Sequence, residues 1–235
     1  MKTLRELVHT ARRCAGRALP DTVHDRTAGS APQVGALRER VGNLNPPGIK
    51  LLELIAEDFG TYGRSLLEVG FFAIAVHRLG NARMSVRSRL LRAPLSLAYA
   101  VTSRAVSWKW GIDLPCTVRV GRRVRIWHHG GMVLSARAIG DDVHIRHNTT
   151  FGTVSRGLVG EPTIGNRVDI GAGACVAGDI TVGDDSVVGP NSVVLRDVPA
   201  GSVMMGIPAR QANLRLDGGP VTPGSTKQKE QGTRP

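Results

Sequence analysis

Ile164-Gly165-Asn166-Arg167-Val168-Asp169-Ile170-Gly171-Ala172-Gly173-Ala174-Cys175-Val176-Ala177-Gly178-Asp179-Ile180-Thr181-Val182-Gly183 repeats an aliphatic residue every sixth position. The series runs on through Val188 and Val194. Gly or Ala follows each of the first five members: Gly165, Gly171, Ala177, Gly183 and Gly189. Four residues after each aliphatic stands a second inward type: Val168, Ala174, Ile180, Ser186, Ser192 and Val198. Helices repeat every 3.6 residues and flat strands every two, so neither gives a period of six. A parallel β-helix does, since each step is one short strand and one corner. The small residue suits a corner, because glycine tolerates unusual backbone angles.

Upstream, Leu114, Val120 and Ile126 keep the period, and Val118 and Val124 take the second position. Val133, a step of seven, then Ile139, Ile145 and Phe151 resume it, and Ile164 falls one residue out of phase. Extra residues in a solenoid form loops, often on a binding face. The first break holds Trp127-His128-His129-Gly130-Gly131 and the second Gly152 to Pro162. Chemistry is expected at these two places.

The expected fold is mainly β with α, a parallel β-helix preceded by helices. Residues 1–47 read as a flexible basic extension, with a short amphipathic helix over Thr3 to Ala18. Residues 48–110 read as helical, in two segments from Ile49 to Leu79 and from Ser85 to Trp110, capping the coils. Residues 111–210 form the β-helix of about five coils, and residues 211–235 a disordered tail too polar to bury a core. The apolar stretches are too short or interrupted for confident membrane spans. Contact of the Arg-rich second segment with a membrane surface is the other reading its composition allows.

The formal net charge is +12, which suits anionic partners. The arginines are scattered and carry no nucleic-acid motif, so a phosphate-bearing ligand is favoured over nucleic acid. Cys14, Cys116 and Cys175 have no metal or CxxC spacing. An odd count without a secretory signal points to a reducing cytoplasm. His144 and His147 raise a metal reading, but a catalytic zinc needs three convergent protein ligands and no third is found; no metal is expected.

His128 follows Asp113 by fifteen residues, which places it on the next coil, three residues short of directly above Asp113, as a neighbour and not a set contact. A histidine held by a carboxylate is the usual general-base arrangement. His129 competes for the role, and a loop histidine that does nothing is the bland reading. The small residues from Gly171 to Ala174 leave backbone groups open to an elongated ligand.

The chain resembles the hexapeptide-repeat acyltransferases, and among them the serine acetyltransferase family. Ala56-Glu57-Asp58, Leu67-Glu68-Val69, His77-Arg78-Leu79, Gly111-Ile112-Asp113, Val120-Gly121, and His128 with Gly131-Met132-Val133 carry the likeness. So do Asn148-Thr149-Thr150-Phe151-Gly152, Ile170-Gly171-Ala172-Gly173-Ala174 and Gly206-Ile207-Pro208-Ala209-Arg210. The resemblance implies a left-handed β-helix, homotrimers as the basic unit with pairing of trimers left open, and acetyl-CoA as donor. It implies His128 as base and Asp113 as its orienting carboxylate. Gly152, Thr153, Ala172 and Pro190 would line the pantetheine arm, and Arg210 would approach its far end.

Departures from the family bear on the acceptor. Trp127 stands where serine-using members have an acid, and Gly160-Glu161 stands where they have Arg-His. Gly60-Thr61-Tyr62-Gly63-Arg64 replaces an Asp-Pro-Ala segment. A free amino acid needs partners for both its charges, and both are lost here. The acceptor reading is therefore a carbohydrate, with Trp127 as a stacking face and Glu161 and His129 as polar contacts. A serine O-acetyltransferase of cysteine biosynthesis and a non-catalytic β-helical scaffold stay open, as do a Trp127 that only packs and a Glu161 that is only solvated.

Overall fold

The computed structural model describes residues 42–154 and 160–212. The expected Thr3–Ala18 helix and the tail from 213 onward lie outside them, as do residues 155–159 of the second break. Three helices come first: α1 (Leu51–Thr61), α2 (Val69–Ala82) and α3 (Arg89–Trp110), with a 3-10 turn at Arg83–Ser85. Strands of two or three residues follow in three parallel sheets. The first sheet stacks β1 (Ile112–Asp113), β4 (Met132–Leu134), β7 (Thr150–Gly152), β10 (Cys175–Ala177) and β13 (Val193–Val194). The second stacks β2 (Arg119–Val120), β5 (Ala138–Ile139), β8 (Thr163–Ile164) and β11 (Thr181–Val182). The third stacks β3 (Arg125–Trp127), β6 (His144–Arg146), β9 (Asp169–Ile170), β12 (Val187–Val188) and β14 (Val203–Met205), and β15 (Arg210–Gln211) returns antiparallel on its end.

The aliphatic repeat fills the coil interior. Val120, Ile139, Ile164 and Val182 stack along one sheet, and Ile126, Ile145, Ile170 and Val188 along another, all at most 2 % exposed. Along the third sheet the inward residues are Leu134, Phe151, Val176 and Val194. Val133, expected to point inward, is 42 % exposed. The step from Ile126 to Leu134 is thus eight residues, and the step on to Ile139 is five. Leu114 is half-buried rather than part of the sealed column.

The glycines after the aliphatics have a different cause from the one expected. Gly165, Gly171 and Gly183 lack a left-handed backbone; what they lack is room. A Cβ on Gly171 would lie 2.5 Å from Pro190 N, and one on Gly183 2.5 Å from Ala200 N. The left-handed corners fall two residues further on, at Arg123, Asp142, Arg167 and Asp185, with φ from 55° to 59°. Stacked in adjacent coils, these residues pair as Arg123–Asp142 and Arg167–Asp185, each at 2.6 Å. Such backbone costs a non-glycine residue about 1–2 kcal/mol, which the ion pairs help to offset.

The helices cap the first coil, whose open edge would otherwise leave ladder groups unpaired. Arg78, on α2, is wholly buried; it donates to Val120 O (2.7 Å) and Gly121 O (2.5 Å) and forms an ion pair with Asp58 (2.9 Å). Tyr62 Oη accepts the Ile126 N–H at 2.8 Å. His77 Nε2 lies 3.0 Å from Val118 O, which assigns the ring proton to that nitrogen. Gly70 lets α2 come this close, since a Cβ there would lie 2.6 Å from Ile126 O. Leu66 and Leu67, expected to be part of a helical apolar face, sit in the α1–α2 link and are exposed.

Candidate active site

His128 and His129 are the two residues inserted at the first break. Trp127 is in register with Arg146, and Val133 with Thr150. Five residues join the first pair of strands where three join the second. Asn148 N bonds Gly130 O at 2.9 Å, so Gly130 takes the ordinary corner place of His147. The surplus is therefore His128-His129. His128 has φ 57°, and both rings are exposed. A regular corner would hold neither, so the insertion projects two imidazoles from the coil.

The His128 ring meets the His147 ring edge-on, with centroids 5.7 Å apart. Among the described residues, His147 Nδ1 is buried without a partner. Asp113 lies on β1, in register with Val133 of β4, and its carboxylate is exposed. Gly111, two residues before it, packs on Gly130 and Gly131, where a Cβ would come within 2.9 Å of Gly131 N. Asp113 and His128 thus share one edge of the coil, yet no hydrogen bond joins them. Sequence reading weighed His147 only as a metal ligand; its unpartnered nitrogen is a feature that only the three-dimensional stack shows.

Trp127 is on the outer side of the third sheet. The Arg125 guanidinium covers its ring at 3.7 Å, His144 meets it edge-on at 5.9 Å, and its Nε1 is buried without a partner. One ring face is therefore already taken. The same sheet carries the Arg146–Asp169 ion pair. Among the described residues no three His, Cys, Asp or Glu side chains converge as a metal set.

The expected donor-site residues fall on two corners. Gly130, His147, Ala172 and Pro190 stack along the corner between the third and first sheets, through Gly173 N to His147 O and Asn191 N to Ala172 O. The segment before Arg210 closes that corner, with Ala209 N on Val193 O at 2.7 Å. Gly152 and Thr153 lie at the other end of the first sheet, where Gly178 N bonds Gly152 O. A Cβ on Gly152 would meet nothing among the described residues within 4 Å. Glu161 sits on that second corner too, half-buried beside Gly160, which packs on Asp179. A three-residue strand, about 10 Å long, separates the two corners, so one chain does not bring Glu161 to His128.

Comparison with known proteins agrees with this architecture. Residues 161–196 match the family model described as bacterial transferase hexapeptide (six repeats). The chain is 40% identical to the serine acetyltransferase of Helicobacter pylori over 149 residues, 62% of this chain and 82% of that one. It is 39% identical to the serine acetyltransferase of Mycobacterium tuberculosis over 145 residues, 60% of this chain and 59% of that one. A protein of Escherichia coli named for acetyl transfer in colanic acid biosynthesis, WcaB, is 34% identical over 129 residues, 54% and 78% of the two chains. The crystal structure of serine acetyltransferase from Vibrio cholerae superposes with a TM-score of 0.57 at 27% identity, covering 68% of this chain and 65% of that one. The chain belongs to the serine acetyltransferase family of hexapeptide-repeat acyltransferases.

Proposed function

We propose that the protein is an acetyl-CoA-dependent O-acetyltransferase with His128 as general base and a carbohydrate hydroxyl as acceptor. The observation that carries the chemistry is the two-residue insertion that projects His128 from an otherwise regular corner. The corner of Gly130, His147, Ala172 and Pro190 is a track leading away from it in which Gly130 and Ala172 are small, and the space left at Gly152 by the described residues suits a second wall for an elongated ligand. When bound, acetyl-CoA supplies the activated acetyl group. His128 takes the proton from the acceptor hydroxyl, whose oxygen forms the new ester bond, and returns that proton to the departing sulfur. Asp113 orients the imidazole once the site closes around substrate. Because the two corners lie apart, the complete site is read as shared between copies of a trimer, with Gly152, Thr153 and Glu161 contributed by one copy and His128, Ala172, Pro190 and Arg210 by its neighbour.

The carbohydrate acceptor rests on Trp127. Its ring is covered on one face by Arg125 and met edge-on by His144, and it offers no carboxylate to the ammonium of an amino acid. Gly160-Glu161 offers no cation to a carboxylate, whereas Glu161 and His129 suit hydroxyls. Three of the four proteins compared above are named serine acetyltransferases, which favours free serine as the second reading. CoA release by purified protein with L-serine, with sugars and without acceptor separates the two. Release with sugars and none with serine is expected; rapid release with serine alone overturns the carbohydrate reading. His128→Ala keeps the fold and lowers turnover by about 10²–10⁴. Unchanged turnover in that variant removes His128 from the role.

A further inference from the structure

Helix α3 turns its apolar side away from the protein. Leu90, Pro94, Leu97, Val101 and Trp108 follow at steps of three, four and seven and share one stripe. Leu90 is 86 % exposed, Leu97 68 %, Val101 61 % and Trp108 81 %. Ser96, Ser103 and Ser107 face inward, and of the 22 helical residues only Val106 is buried. A surface helix ordinarily does the reverse. The inner side has its reason: Tyr99, Ser103 and Ser107 line a cavity of about 410 Å³ that reaches His77 and Asp113. Among the described residues nothing covers the outer side. Contiguous exposed apolar surface of this kind marks a docking site.

Charge decides what docks there. From Val69 to Ile112 the chain has no Asp or Glu, while Arg87, Arg89, Arg92, Arg104 and Lys109 lie on or just before α3. A second copy packed stripe to stripe would set these cations against their own kind with no carboxylate between them. An anionic lipid surface has the opposite sign. Leucines enter the acyl boundary, arginines reach headgroups over their apolar stems, and tryptophan favours the interface. No described helix is long and apolar enough to cross a membrane, so this one lies flat.

We propose that α3 docks the protein on an anionic membrane surface through the Leu90–Leu97–Val101–Trp108 stripe. The docking does not depend on the acetyl-transfer reading. Full-length protein is floated with vesicles of equimolar phosphatidylglycerol and phosphatidylcholine, and with phosphatidylcholine alone, at low and high salt. Binding to the anionic vesicles only, weakened by salt, is expected. Leu97→Glu with Val101→Glu cuts that binding by at least about tenfold and leaves circular dichroism and acetyl transfer in solution unchanged. Arg89→Gln weakens it by about fivefold. No binding by the wild type overturns the proposal, as does binding that the double variant retains. A native assembly that the double variant splits also overturns it, since a protein then covers the stripe. Vesicle binding without acetyl transfer would sink the catalytic reading alone.

Discussion

Among the described residues Arg78 heads the largest wholly buried side chains. Its guanidinium holds Asp58 and two carbonyls of the first coil at once. Burial pushes the Asp58 carboxyl up, and Arg78 pulls it back only in part. Arg78→Leu therefore leaves a buried carboxylate and two coil carbonyls without partners, at a cost of about 3–5 kcal/mol, read as a lower urea midpoint. Next to it, burial and then the Arg78 charge push the His77 imidazole down to about 4. The unfolded chain takes up this proton near pH 6.5, and the folded one only near 4. Stability should fall as pH drops through that window, by up to about 3 kcal/mol. Urea midpoints of wild type and His77→Gln across pH 4–7 check this; the variant should lose less on acidification. The sequence offered His77-Arg78 as a family match without a role, because their partners lie 20 to 43 residues away.

Strands of two or three residues are hard to read singly, yet the β-helix was legible because sealed aliphatics repeat in every coil. What was not legible is which of two adjacent aliphatics points inward at a break. Val133 and Leu134 look alike, and only the pairing of Val133 with Thr150 decides between them. Glycine positions were legible too, but their cause was not. A Cβ on Gly140 would lie 2.5 Å from Gly165 O. Gly140→Ala should cost about 1–3 kcal/mol by thermal unfolding, while Gly152→Ala, with open space before it, should leave the midpoint within about 0.5 kcal/mol. The inverted α3 escaped the sequence for the same kind of reason. Its stripe was visible, but the side that meets the coil was not.

At the scale of the whole molecule, the residues that the family likeness assigns to one site occupy two corners of the coil. His128, Ala172 and Pro190 follow one; Gly152, Thr153 and Glu161 follow the other. The sequence spacing could not show this, because both breaks interrupt the same first sheet and look equivalent along the chain. Among the described residues, a strand's length between them rules out a compact site in one chain. A shared site predicts complementation. On the proposed mechanism His128→Ala lacks the base, and Gly152→Trp fills the proposed donor wall while keeping the base, so each alone should be inactive. Refolded together in equal amounts, they form interfaces pairing an intact His128 with an intact Gly152. Random mixing in a cyclic trimer restores about a quarter of wild-type turnover. Recovery near that level places the site between copies. No recovery, with mixed trimers confirmed by differential tagging, overturns the shared site.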